Sequence, residues 1–123
     1  MAKDEILSFF VQAANHHDFS TDITLHVKGG LVTGTIISAA SYFSNLKDSI
    51  SEKNDVAKQL KEALKQAEES ADTKQSNAEY IHLKNMSAYL AENKTTPANS
   101  DLLWRGKISE VDGFFLGRIS DEE

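Results

Sequence analysis

The 123-residue chain has no cysteine, one proline, one tryptophan and six glycines. Without cysteine there is no disulfide framework, no thiol nucleophile and no Cys-ligated zinc or iron–sulfur site. Basic residues are also short: 13 Lys and Arg stand against 19 Asp and Glu, a net charge of −6. That balance gives a poor electrostatic case for binding phosphate backbones or anionic lipid, so nucleic acid and membrane are disfavoured as partners. Apolar runs are interrupted too often for a signal-peptide core or a membrane span. A cytoplasmic location is expected, and the sequon Asn93-Lys94-Thr95 is then expected to carry no sugar.

At 40% apolar residues, the chain has enough for one core, and a single domain over 1–123 is expected. From Asp4 to Asn15, Ile6, Phe9, Phe10, Ala13 and Ala14 recur at helical spacing behind acidic residues. Ile23, Leu25 and Val27 then alternate with polar residues as in a half-buried strand. Gly29-Gly30 offers a hairpin turn into a strand over Leu31–Ser38, with Gly34 marking a bulge or bend. The period returns to helical at Tyr42, Phe43, Leu46 and Ile50. A third helix is capped by Asn54 or Asp55, carries the stripe Val56, Leu60, Ala63, Leu64, Ala67, and ends near Ser70. A linker over Asp72–Ala78 leads to a strand from Tyr80 to about Leu90, and Ala91–Ser100 reads as an exposed loop. Trp104 to Ile119 alternates apolar and polar residues around three glycines, with Asp112-Gly113 suited to a tight turn between two strands. An acidic tail closes the chain. The fold class is α+β: an N-terminal helix, a strongly bent antiparallel sheet of about five strands, and a helical insertion at about 40–72 between the second and third strands.

No group of residues spells out a reaction. His16 and His17 lie near Asp18 and Asp22, but consecutive side chains diverge and no helical His spacing completes a metal site. His26 and His82 would need to meet across the sheet to act as a pair, and on polar strand faces they read as surface residues. Ser38, Ser41 and Ser44 lack the nucleophile-elbow pattern, and Gly29, Gly30 and Gly34 lack phosphate-loop spacing. Glu110 and Asp112 are paired only in sequence, beside a turn where acids are common. The chain is therefore read as a binding or accessory protein, not an enzyme, with no catalytic residue, metal or cofactor assigned. The Val56, Leu60, Leu64 stripe is suited to docking a partner helix, though packing within the protein is the favoured reading. Adjacent phenylalanines on a strand point to opposite faces, so at least one of Phe114 and Phe115 meets a second layer or is exposed for a partner.

Two stretches carry a resemblance. Tyr80-Ile-His-Leu-Lys-Asn85 and Trp104-Arg-Gly-Lys-Ile-Ser-Glu-Val-Asp-Gly-Phe-Phe-Leu-Gly-Arg-Ile-Ser-Asp121 are similar to the gas vesicle accessory protein U family. Phe19-Ser-Thr-Asp-Ile-Thr-Leu25, Gly34-Thr-Ile-Ile-Ser38 and Tyr42-Phe43 follow that family in the same order, with the weakest agreement over Glu52–Asn77 and Ala91–Ser100. The resemblance implies a cytoplasmic, vesicle-associated accessory protein without enzymatic activity or cofactor. Such a protein acts in vesicle assembly or clustering by contacts with the shell or other vesicle proteins. An adaptor for a protein shell needs an exposed patch with aromatic and Arg anchors. Trp104, Arg105, Phe114 and Phe115, with Leu60 and Leu64 as a second patch, are the candidate partner-binding residues, and self-association into a homo-oligomer is a further expectation.

A second likeness concerns fold. Leu103-Trp-Arg-Gly-Lys-Ile-Ser-Glu-Val111, after a helix and a glycine-punctuated hairpin, resembles the second motif of Sm-like proteins. It implies a small bent barrel and the alternative function of a ring-forming RNA-binding module. Arg105 and Gly106 match that motif, whereas the first-motif counterpart around Ser41–Leu46 departs in register and lacks the acidic residue.

Overall fold

The computed structural model describes residues 4–51, 53–73, 79–90, 94–95 and 102–119. Asp4 opens the first helix, α1 (Glu5–His17), by accepting from the backbone of Ile6 at 2.9 Å and of Leu7 at 3.2 Å. This satisfies two amides that a helix start leaves unpaired. Asp18, at φ +54, closes the helix in the left-handed region that a short polar side chain tolerates.

β1 (Asp22–Val27) and β2 (Gly30–Ile37) form the expected hairpin, turned by Lys28 and Gly29 at φ +49 and +85. β2 runs straight into α2 (Ala39–Asp48), capped by Ser38 Oγ accepting from Ser41 N at 3.0 Å. α3 (Asp55–Thr73), capped by Asn54, packs against α2, with Lys47 and Glu68 3.3 Å apart between them. The chain returns through β3 (Tyr80–Leu90), β4 (Lys94–Thr95), β5 (Trp104–Lys107), a 3-10 turn at Ile108–Glu110, and β6 (Gly113–Leu116).

All pairings are antiparallel. The order runs β6, β1, β2, β3, with β4 and β5 each pairing part of the outer edge of β3. The α+β class, the N-terminal helix and the helical insertion between the second and third strands are thus present. Three expectations are corrected. First, the sheet does not close into the Sm-like barrel: among the described residues β6 ends one side and β4 and β5 the other. Second, β5 and β6 do not form a hairpin around Asp112-Gly113. Ile108 is fully buried, and its burial draws the chain from the β3 edge across to the β1 edge. Third, part of the expected loop at Ala91–Ser100 is strand, since Lys94 and Thr95 pair with Leu90 and Tyr89. The rest of that loop, the linker at 74–78 and the tail at 120–123 lie outside the described residues.

Strand alternation sorts the sheet into two faces. One buries Ile23, Leu25, Val32, Ile36, Ile81, Leu83 and Met86 in a core with Leu7, Val11 and Ala14 of α1. Each fully buried leucine or isoleucine contributes about 1.5–3 kcal/mol. Gly34 faces that side, where a Cβ would press on the Lys84 carbonyl and the Leu83 side chain at 3.1–3.3 Å. Opposite it, β3 carries the bulge that the sequence placed at Gly34: the register shifts between Thr33 and Thr35, with Asn85 at φ +52 as the extra residue.

The other face is crossed by the C-terminal segment. Gly117, at φ +111, turns the chain over the sheet, and Thr24 donates to its carbonyl at 2.8 Å. Thr33 Oγ1 accepts from Ile119 N at 3.1 Å, Tyr89 donates to the Ile119 carbonyl at 3.2 Å, and Arg118 donates to the Asn85 carbonyl at 2.8 Å. These bonds, with the 2.9 Å bond between the two hydroxyls, account for buried Thr24 and Thr33 on that face.

Candidate interaction site

Where α2 meets β3 the second face carries a different cluster. Asn15 at the end of α1 accepts from Ala39 N at 2.8 Å, fixing the start of α2 against α1. One turn on, Tyr42 and Phe43 lie over His82, with ring centroids at 4.6 and 5.9 Å. Register then places Arg105 of β5 opposite His82, and Lys107 opposite Tyr80. The Arg105 guanidinium lies 3.8 Å from the centre of the Tyr80 ring and 5.7 Å from that of Phe43, within the range of cation–π attraction.

His82 holds this cluster together and is only 3% exposed. Its Nε2 accepts from Arg105 Nε at 3.2 Å, which requires the neutral imidazole with its proton on Nδ1. Nδ1 is buried with no hydrogen-bond partner. Burial, reinforced by the adjacent Arg105 charge, pushes the His82 pKa down to about 4. The imidazole serves as a fixed acceptor that orients the guanidinium. The surface reading of His82 is corrected, whereas His26 does lie at the surface and the two do not meet. His26 is exposed on β1, and its row of partners leads through Leu31 to Tyr89, at the far end of β3 from His82. The signal available in sequence was the aromatic company, Tyr42-Phe43 and Tyr80, around a histidine on a strand otherwise rich in apolar residues.

The other candidates are spread over three surfaces. Trp104 and Phe114 are half-buried and pack on the core, Phe114 edge-on to Phe10 of α1 at 6.0 Å. The Trp104 ring lies across Gly106, where a Cβ would collide with it. Phe115 points to the opposite face and is 51% exposed, next to exposed Leu116. Of the α3 stripe, Leu60 is 52% exposed and Val56 is exposed beside it, while Leu64 is half-buried. The structure therefore brings Arg105 into an ordered cluster, and leaves Phe115 and Leu60 as separate apolar protrusions.

Groups weighed for chemistry have structural partners or none. Glu110 forms a 3.0 Å ion pair with Lys28, whose hydrogen bond and charge hold its carboxyl below the usual range. Asp112 accepts from Lys28 N at 3.1 Å. His16 and His17 are exposed at the end of α1, and among the described residues no three His, Asp or Glu side chains converge as metal ligands. No described helix is long and apolar enough to cross a membrane.

A family model described as gas vesicle protein GvpU-like matches residues 4–119. The chain belongs to the GvpU-like family. That match spans α1, every strand of the sheet and the C-terminal segment through Ile119, so the Arg105 cluster and the Phe115 edge both lie within the GvpU-like region. No curated protein and no solved structure matches the chain, and the Sm-like likeness finds no support in those comparisons.

Proposed function

We propose that this GvpU-like protein is a non-enzymatic, cytoplasmic accessory protein of gas vesicles, acting in vesicle assembly or clustering by contacts with the shell or other vesicle proteins. Family membership over residues 4–119 carries the vesicle assignment. The contact surface is argued from exposure. Phe115 projects from β6, whose outer edge has no strand partner among the described residues, and exposed aromatic anchors are what protein interfaces use. Arg105 and Leu60 are further, separate candidate contact points, while Trp104, Phe114 and Leu64 lie half-buried. Self-association through the open strand edges belongs to the same reading.

Clustering is read directly by imaging. Adding the protein to purified, well-dispersed gas vesicles is expected to draw them into clusters visible by light microscopy, and Phe115→Ala is expected to weaken the effect severalfold. Vesicles that stay dispersed at saturating protein would remove the clustering role and leave assembly. The RNA-binding alternative has no specific observation in its favour: the sheet is open, and Gly106 is covered by Trp104.

A further inference from the structure

We propose that the Arg105 corner is a receptor for an extended acidic segment of a protein partner, one that presents carboxylates at alternate positions. This rests on the reading of the chain as a protein-contact adaptor and names the chemistry that one of its surfaces takes.

The guanidinium is already ordered. His82 fixes Nε, and the Tyr80 ring supports one face of the plane. The terminal nitrogens have no protein partner among the described residues, and a fork of that shape matches a carboxylate with two parallel hydrogen bonds. Ordering a free arginine costs side-chain entropy on binding, and here folding has already met that cost.

The surroundings extend the match. Lys107 follows Arg105 on the same face of β5, about 7 Å along the strand. Lys84 lies on the same face of β3, diagonal to Arg105 at about 7–8 Å. Lys28, Lys47 and Arg118 each pair with a carboxylate within 4 Å; Lys84 and Arg105 form no such pair among the described residues, and Lys107 feels Glu110 only as a nearby charge. In a chain of net charge −6, three cations gathered at one corner, with no close ion pair among them, are a local reversal of sign. The outer edge of β5 is also without a strand partner among the described residues. A partner strand laid along it would set carboxylates at i and i+2 opposite Arg105 and Lys107, an arrangement of opposite-charge cross-strand pairs. A nucleic-acid strand fits less well, because its affinity comes from many phosphate contacts along a basic track, and the net acidity opposes a long polyanion.

The test uses a fluorescein-labelled peptide with glutamates at alternate positions, titrated with the full chain by fluorescence anisotropy at low salt. Saturable binding is expected, with loss on replacing the peptide glutamates by glutamine. Arg105→Lys, which keeps the charge and the aliphatic stem but loses the fork, is expected to weaken binding by about fivefold or more; circular dichroism checks that it folds. Absence of saturable binding, equal binding of the glutamine peptide, or undiminished binding by a folded Arg105→Lys protein would overturn the proposal. Tighter, equally Arg105-dependent binding of a single-stranded RNA would overturn it in favour of nucleic acid. The titration contains no vesicles, so a failed titration beside intact vesicle binding removes this receptor alone, and the converse result removes the adaptor role.

Discussion

At the scale of single residues, His82 has the clearest consequence. Its folded pKa of about 4 lies below the ordinary histidine value of 6.5, so the unfolded chain takes up a proton more readily than the folded one. The neutral imidazole thus contributes stability that is complete above pH 6.5, is lost as pH falls from 6.5 to 4, and changes no further below that. The shift corresponds to about 3 kcal/mol over that window. His82→Gln, which keeps an acceptor for Arg105 and does not titrate, is expected to flatten the acid side of the stability profile. Urea unfolding at several pH values between 7 and 4 measures this, and equal slopes for the two proteins would refute it. Gly106→Ala is expected to cost about 1–3 kcal/mol, because the added methyl must displace the Trp104 ring from the core edge. Thermal denaturation reads that cost. The aromatic residues near His82 were its only sequence signal, and the close fit of Trp104 over Gly106 had none. A histidine alternating on a strand looks the same whether a helix covers it or water does, and the cover here comes from Tyr42 and Phe43, some forty residues earlier in the chain.

Among the elements, local pattern and long-range pairing separate cleanly. The N-terminal helix behind its acidic residues, the Ile23-Leu25-Val27 alternation, the Gly29 turn and the Asn54 cap are local, and the structure keeps each of them within a residue or so of its expected place. The β5–β6 hairpin failed because two strands with a turn-like Asp112-Gly113 between them suggest pairing with each other, whereas both edges of the β1–β2–β3 sheet were still open to receive them. β5 took the β3 edge, β6 took the β1 edge, and Ile108 became the buried pivot of the crossover. Ile108→Ala is therefore expected to lose about 2–5 kcal/mol, as a cavity-forming core substitution does, although this residue lies in a 3-10 turn. Chemical denaturation decides it, and a loss below about 1 kcal/mol would show that the crossover packs loosely. The candidate site shows the same division: that one of two adjacent phenylalanines faces out followed from strand alternation, but which one depended on the position of α1.

For the whole molecule, the features combine into a charged, open-edged protein with separate contact points. Net negative charge opposes close approach of copies, whereas the edges of β5 and β6 and the exposed Phe115 favour contacts with other chains. The adaptor reading makes the vesicle the decisive partner, and co-flotation tests it most directly. Purified protein is mixed with purified gas vesicles, the vesicles are allowed to rise, and the floating layer is assayed. The account predicts saturable enrichment of the protein in that layer, reduced by about fivefold or more when Phe115→Ala and Leu60→Ala are combined in a protein that still folds. Protein that remains entirely in the liquid below, at concentrations where it is folded, would contradict it.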